Sequence, residues 1–194
     1  MKQLAMKWRT WGGRRRGAGR KPKGVVAGVT HATRKRLRRL PVHVNWRMLP
    51  HVWNLRSRRC FRRLEEAFWA ACDRFGMRIT HFSVQGNHLH LIVEAEDQSC
   101  LSRGMQGLGV RVAKKLNRVM KRKGTVLADR YFAHLLKTPS EIRRAVSYVV
   151  RNRQKHLDSA EITDQFSSAA GLPGEVPVVV PQTWRMRQAL RLVL

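Results

Sequence analysis

The stretch Gly86-Asn87-His88-Leu89-His90-Leu91-Ile92-Val93-Glu94 constrains this chain more than any other, because it is an apolar run that carries two histidines two positions apart. In a β-strand, side chains at i and i+2 project to the same face. His88, His90 and Ile92 therefore share one side, and Leu89, Leu91 and Val93 share the other. Neutral imidazole is a common metal ligand, and a rigid strand holds such a pair without the ordering cost a loop would carry. Taken alone, a His-x-His pair is more often an ordinary polar pair on a half-exposed strand. What surrounds it decides between the two.

Upstream, Val42, Val44, Trp46 and Met48 alternate with His43, Asn45 and Arg47, a strand with one apolar face. Phe61, Leu64, Phe68, Ala71, Cys72 and Phe75 recur at helical spacing and predict a helix over 57–75, stopped by Gly76. Residues 77–85 read as a strand joined to the His88 strand by a turn at Gly86-Asn87. A second helix is expected over 99–123, with Leu101, Met105, Leu108, Val112, Leu116 and Val119 buried. Arg111, Lys114, Lys115, Arg118, Lys121 and Arg122 would form its basic outer surface. Gly104, Gly107 and Gly109 sit inside it, which implies either a close approach to a sheet or phosphate backbone, or a break. Residues 125–137 contain a fourth strand, and Thr138-Pro139-Ser140-Glu141 opens a third helix with Thr138 as N-cap. Strand, helix, strand, strand, helix, strand is the α+β order of a ferredoxin-like antiparallel sheet, βαββαβ, here with an added helix.

The added helix holds the second unusual residue. Its buried stripe is Ile142, Ala145, Val146 and Val149, and Tyr148 lies about 100° round from Val149. At i−4, i+3 and i+4 it has Arg144, Arg151 and Asn152. A core tyrosine belongs on the apolar stripe, whereas this one faces basic and polar neighbours. It is either an amphipathic residue at the rim or a phenol whose cationic surroundings suit attack on a phosphate.

Charge supports a polyanionic partner. The 194 residues carry a formal net charge of +28. No Asp or Glu precedes Glu65, and fourteen of the first forty residues are Lys or Arg. Residues 1–40 read as a disordered basic arm, with Arg14, Arg15, Arg16, Arg20, Lys21 and Lys23 as phosphate-binding candidates. Its Gly-Arg-Lys-Pro-Lys-Gly core loosely resembles an AT-hook. No stretch approaches the roughly 20 apolar residues of a membrane span, and the N-terminus lacks the apolar core of a signal peptide. A cytoplasmic, nucleoid-associated protein is expected. Cys60, Cys72 and Cys100 are odd in number and form no Cys-x-x-Cys, so neither a disulfide framework nor a zinc knuckle is suggested.

The Gly-Asn-His-Leu-His-Leu strand, the Ser-Tyr-Val-Val-Arg-Asn helix and the ferredoxin-like order resemble the single-tyrosine transposases of the HUH superfamily, above all the REP-associated tyrosine transposases. The resemblance covers about residues 41–157. It implies that Tyr148 attacks one phosphodiester of single-stranded DNA, leaving a 5′-phosphotyrosine and a free 3′-OH. It implies His88, His90 and Asn152 as ligands of a divalent metal, magnesium or manganese, and hairpin-forming repeat DNA as substrate. Gly86 stands where the family often has Pro, and Asn152-Arg153 where it often has Asn-Pro; neither change removes a reacting group. Whether the protein acts as a monomer or homodimer is left open.

Arg111, Lys114, Lys115, Arg118, Arg144 and Arg151 are the candidate DNA contacts within 41–157. Tyr131, in Arg130-Tyr131-Phe132, suits base stacking or packing better than catalysis. Residues 158–194 form an extension, with a loop at 166–171, an extended run at 176–181 and a short basic helix at 183–192, which could dock on the body or clamp substrate. Two other functions fit the same residues: a non-catalytic nucleic-acid binder, and a decayed transposase that only binds DNA. Deletion of residues 1–40 should flatten the dependence of DNA affinity on salt by about 0.7 to 0.9 in log–log slope for each phosphate that the arm neutralises. A salt titration of full-length and truncated protein on one oligonucleotide checks this, and equal slopes would mean that the arm does not touch DNA.

Overall fold

The computed structural model describes residues 37, 39–151 and 163–191. Arg14, Arg15, Arg16, Arg20, Lys21, Lys23 and Asn152 lie outside the described residues. The elements are β1 (Val42–Arg47), α1 (Arg58–Trp69), β2 (Asp73–Arg74), β3 (Met77–Val84), β4 (His88–Ala95), α2 (Gln98–Val119), β5 (Phe132–Leu135), α3 (Pro139–Val150) and α4 (Trp184–Arg191). The five strands form one sheet in the order β2-β3-β4-β1-β5, and every pairing is antiparallel. With the two-residue β2 set aside, this is the ferredoxin-like βαββαβ arrangement with α3 added.

The alternation of β1 and β4 builds two layers onto the sheet. Val42, Val44 and Trp46 share a face with Leu89, Leu91 and Val93, and α1 and α2 bury that face with Leu64, Phe68, Leu108 and Val112 among others. On the opposite face Ile92 packs with Leu136, with Ile142 and Val149 of α3, and with Met186 and Ala189 of α4. The register slips between Ile79 and His81, so that Ile79, Phe82 and Val84 all reach the first core. Thr80 is the extra residue, and its hydroxyl donates to the Ile92 carbonyl at 3.1 Å.

The helix ends follow their capping residues. Ser57 Oγ accepts from Cys60 N at 3.3 Å and starts α1. That helix ends at Trp69, short of the expected Phe75, because Asp73 and Arg74 pair as a strand with Arg78 and Met77, while Phe75 and Gly76 both have positive φ (58° and 70°). They form the two-residue turn of a small hairpin in which Arg74 pairs with Met77. Thr138 Oγ1 accepts from Glu141 N at 3.2 Å, and a Glu141 carboxylate oxygen accepts from Lys137 N at 2.7 Å, a reciprocal cap for α3.

Helix α2 runs unbroken through its three glycines. A Cβ on Gly104 would stand 2.6 Å from Met77 Cβ, and one on Gly109 would stand 2.6 Å from the Trp46 ring. Two of the glycines are thus explained by close approach of the helix to the sheet. The described part of the C-terminal extension lies along β3. Asp164 takes both guanidinium nitrogens of Arg56 (2.5 and 3.0 Å), Val84 N donates to the Phe166 carbonyl at 2.8 Å, and Val179 N donates to the Ile79 carbonyl at 3.0 Å. Cys60 and Cys100 are buried, and Cys60, Cys72 and Cys100 are all free thiols.

Gly104→Ala should raise intrinsic helix propensity by about 1 kcal/mol yet destabilise the protein, since overpacking against the fixed Met77 Cβ costs about 1 to 3 kcal/mol. Chemical denaturation reads the sign directly. A midpoint that rises would show that α2 can move off the sheet.

Candidate active site

The second face of the sheet carries polar side chains toward one end of β1, β4 and α3. Asn45 pairs with His90 and His43 with Ile92, so the imidazoles of His43 and His90 are diagonal neighbours. His43 Nε2 lies 3.2 Å from His90 Nδ1, and His90 Nε2 lies 3.0 Å from His88 Nε2. His88 Nδ1–H donates to Asn87 Oδ1 at 2.8 Å, which leaves the lone pair of His88 on Nε2. Tyr148 joins them from α3, its ring centroid 5.3 Å from that of His90 and 6.0 Å from that of His43, edge-on to both. His90 is buried, while the tyrosine remains 38% exposed and so open to a large substrate.

Two proton arrangements satisfy this chain. In one, His43 Nε2–H donates to His90 Nδ1 and His90 Nε2–H donates to His88. In the other, His90 Nδ1–H donates to His43, and the two Nε2 lone pairs face each other. Lone pairs only 3.0 Å apart repel, so the second state needs a cation between them. Two neutral imidazole nitrogens that converge in this way could act as ligands of one divalent ion. The observed spacing and the donor chemistry therefore fit two ligands of one divalent ion, with Asn87 and His43 orienting the rings from behind. Among the described residues, no group of three or more His, Cys, Asp or Glu side chains could hold a metal ion, so the pair is a partial set. Asn152, expected as the third ligand, lies outside the described residues.

All three imidazoles are held neutral. Burial, then the charges of His88 and His43, pushes His90 down to about 3. Burial and the nearby Arg47 lower His88, and burial with His134 lowers His43. A neutral ring is the ligating form. His81, beyond the site on β3, is pushed down to about 4 by burial, against the pull of the Glu94 carboxylate.

The structure unites His88, His90 and Tyr148, and it adds His43, which in the sequence is only the polar half of an alternation. The signal for His43 is its place on the polar face of β1, which gains meaning once β1 is paired beside β4. Arg144 and Arg151 are exposed on the helix of Tyr148, and Arg151 caps that helix. Arg111, Lys114, Lys115 and Arg118 belong to α2, which packs on the other face of the sheet. There Lys115 pairs with Glu66 at 2.6 Å and Arg111 donates to the Gly107 carbonyl at 2.9 Å, while Lys114 and Arg118 are exposed. Tyr131 packs edge-on against Trp46, ring centroids 5.6 Å apart.

The family model described as "Transposase IS200 like" matches residues 38–158. A solved REP-associated tyrosine transposase bound to a REP hairpin shares the fold, with a TM-score of 0.58 and 15% identity over 72% of this chain and 82% of that one. A crystal structure of a transposase-like protein from Deinococcus radiodurans aligns over 66% of this chain and 95% of that one, at 13% identity and a TM-score of 0.44. Comparison with curated proteins gave no match.

The depressed histidines predict an acid-sensitive fold. Both His81 and His90 have folded values below the unfolded 6.5, so the unfolded state binds protons first as pH falls. Stability should be complete above about pH 6.5 and decline from there toward pH 4, by on the order of 3 kcal/mol for each of the two rings. Denaturation of metal-free protein across this range checks the slope. A flat profile would show the two rings already solvated.

Proposed function

The chain belongs to the IS200-like transposase family, and from that premise we propose that it is a metal-dependent single-stranded DNA nicking and strand-transfer enzyme of the REP-associated type, acting on hairpin-forming repeat DNA. The observation that carries the reading is the Tyr148 ring standing edge-on to the His90 ring, 5.3 Å away, on the face to which His88 and His90 both point. Nothing in a structural role requires a half-exposed phenol beside two neutral imidazoles.

The Tyr148 phenolic oxygen is the nucleophile. It forms a bond to phosphorus as the bond from phosphorus to the 3′-oxygen breaks, which leaves a 5′-phosphotyrosine and a free 3′-OH. The phenolic proton leaves as the bond forms, and the departing 3′-oxygen takes one up. The exposed guanidinium groups of Arg144 and Arg151 draw the anionic strand to α3 and lie where charge on the phosphoryl oxygens would be steadied. His88 and His90, with Asn152, would hold magnesium or manganese, and when bound the ion supplies positive charge to the phosphate oxygens. Because the phosphotyrosine keeps the energy of the phosphodiester, the step is reversible without ATP and strand transfer can follow. Tyrosine and histidines come from one chain, so no second copy is needed to bring them together.

A non-catalytic binder on the same sheet would present exposed aromatic residues as a base-stacking platform. Here α3 and α4 cover the apolar part of that face and the remainder carries histidines, which disfavours that reading. Among the described residues, no helix is long and apolar enough to cross a membrane.

Incubated with magnesium or manganese and a labelled hairpin oligonucleotide with single-stranded flanks, the wild type should form a covalent adduct stable to denaturing electrophoresis. Tyr148→Phe should abolish the adduct and keep DNA binding, and Tyr131→Phe should retain some cleavage. His88→Ala, His90→Ala or excess EDTA should each remove cleavage while the protein stays folded. An adduct on Tyr148→Phe would sink the nucleophile assignment, and cleavage unchanged in EDTA would leave the histidines structural. A wild type that binds the hairpin but never forms the adduct would be a decayed transposase.

A further inference from the structure

We propose a second DNA contact on this protein, a cleft at the far end of the sheet in which Trp184 stacks an unpaired base and Arg39 and Arg185 take the adjoining phosphates. It rests on the reading of DNA as the partner. The cleft, about 730 Å³, opens where β4 ends, not where β4 presents its histidines. At the rise of a strand, Ala95 stands about 20 Å from His88. This is a separate place on the molecule.

Trp184, the first residue of α4, is 64% exposed. A large ring left in water on a short helix contributes little to the fold, for α4 docks through Met186 and Ala189. The Arg185 guanidinium lies 5.4 Å from the Trp184 ring centroid and also donates to the Lys137 carbonyl, which holds it at the mouth of the cleft. Arg39 and Arg78 line the same walls. Arg78 Nε is buried with no hydrogen-bond partner among the described residues, 3.7 Å from Glu94. Glu96 is the one acidic residue in the lining, against three arginines.

The backbone around Trp184 is fixed by a buried carboxylate. Glu94, fully buried, accepts from Gln182 N (2.7 Å), Thr183 N (2.9 Å) and Thr183 Oγ1 (2.5 Å). The amides of the two residues before α4 are thus already satisfied, and the cationic groups that line the cleft are its arginines. An aromatic face framed by guanidinium groups matches a nucleotide with its base out of the stack, because every base offers a π-face and every phosphate a charge. Trp184 and Arg185 lie beyond residues 38–158, the part that matches the family model. The contact would belong to this chain's own extension.

The test is an affinity measurement on full-length protein in EDTA, so that no strand is cut, with two probes: a hairpin with single-stranded flanks and the same hairpin without them. Trp184→Ala should weaken binding of the flanked hairpin about tenfold, Trp184→Phe should restore most of that loss, and the flankless hairpin should bind all three proteins alike. Arg39→Gln and Arg185→Gln should each reduce the salt slope on the flanked probe by about 0.7. An unchanged thermal midpoint for Trp184→Ala shows the fold intact. Equal affinities of wild type and Trp184→Ala for the flanked hairpin would overturn the proposal, and so would an equal loss on both probes, which would place the contact on the duplex. A wild type that forms no adduct with metal while Trp184→Ala still weakens flanked binding removes only the catalytic reading.

Discussion

The antiparallel pairing of β1 with β4 at the centre of the sheet is the constraint on which the rest depends. Its register sets Trp46 against Leu89 and Asn45 against His90. Because strand side chains alternate, a slip of one residue would turn the histidines into the hydrocarbon core and expose Leu89 and Leu91. The free energy of burying one face therefore fixes where the other face points. The same pairing puts His43 diagonal to His90, so the chain of imidazole contacts follows from core packing and needs no local device of its own.

Helix α3 depends on that face in turn. Its stripe of Ile142 and Val149 meets Ile92, the one large apolar residue β4 offers on the histidine side, and α4 closes over the same cluster with Met186 and Ala189. Tyr148 can reach the histidines because its neighbour Val149 is buried. Glu94, next along β4 on the same face, pins the start of α4 through three hydrogen bonds. One strand face thus holds the histidine pair, the seat of the tyrosine helix and the anchor of the C-terminal helix in succession.

Much of this is legible in the chain because it obeys short periodicities. The His88 strand, the apolar stripe of α3 with Tyr148 off it, and the Thr138 cap all concern residues within four positions of each other. The features that are not legible are set by contacts far apart in sequence. The end of α1 at Trp69 depends on the small hairpin that reverses at Phe75 and Gly76, where a positive φ at a phenylalanine is not written in its neighbours. His43 becomes part of the site through a strand forty-seven residues away, and Asp164 finds Arg56 across one hundred and eight. The basic face of α2 is legible as basic, but only the layer order shows that it lies on the opposite side of the sheet from Tyr148.

Local charge bears on the site as well. Burial lowers all three site rings first, and Arg47 beside His88, His134 beside His43, and His88 and His43 beside His90 lower them further. The three site rings are thereby favoured in the neutral form at pH values where a lone histidine would be protonated. Neutral rings can donate lone pairs, and they do not compete with a cation for the same position by carrying its charge. Burial of this face and the cationic neighbours of its rings act in the same direction, toward imidazoles in the form that carries a lone pair.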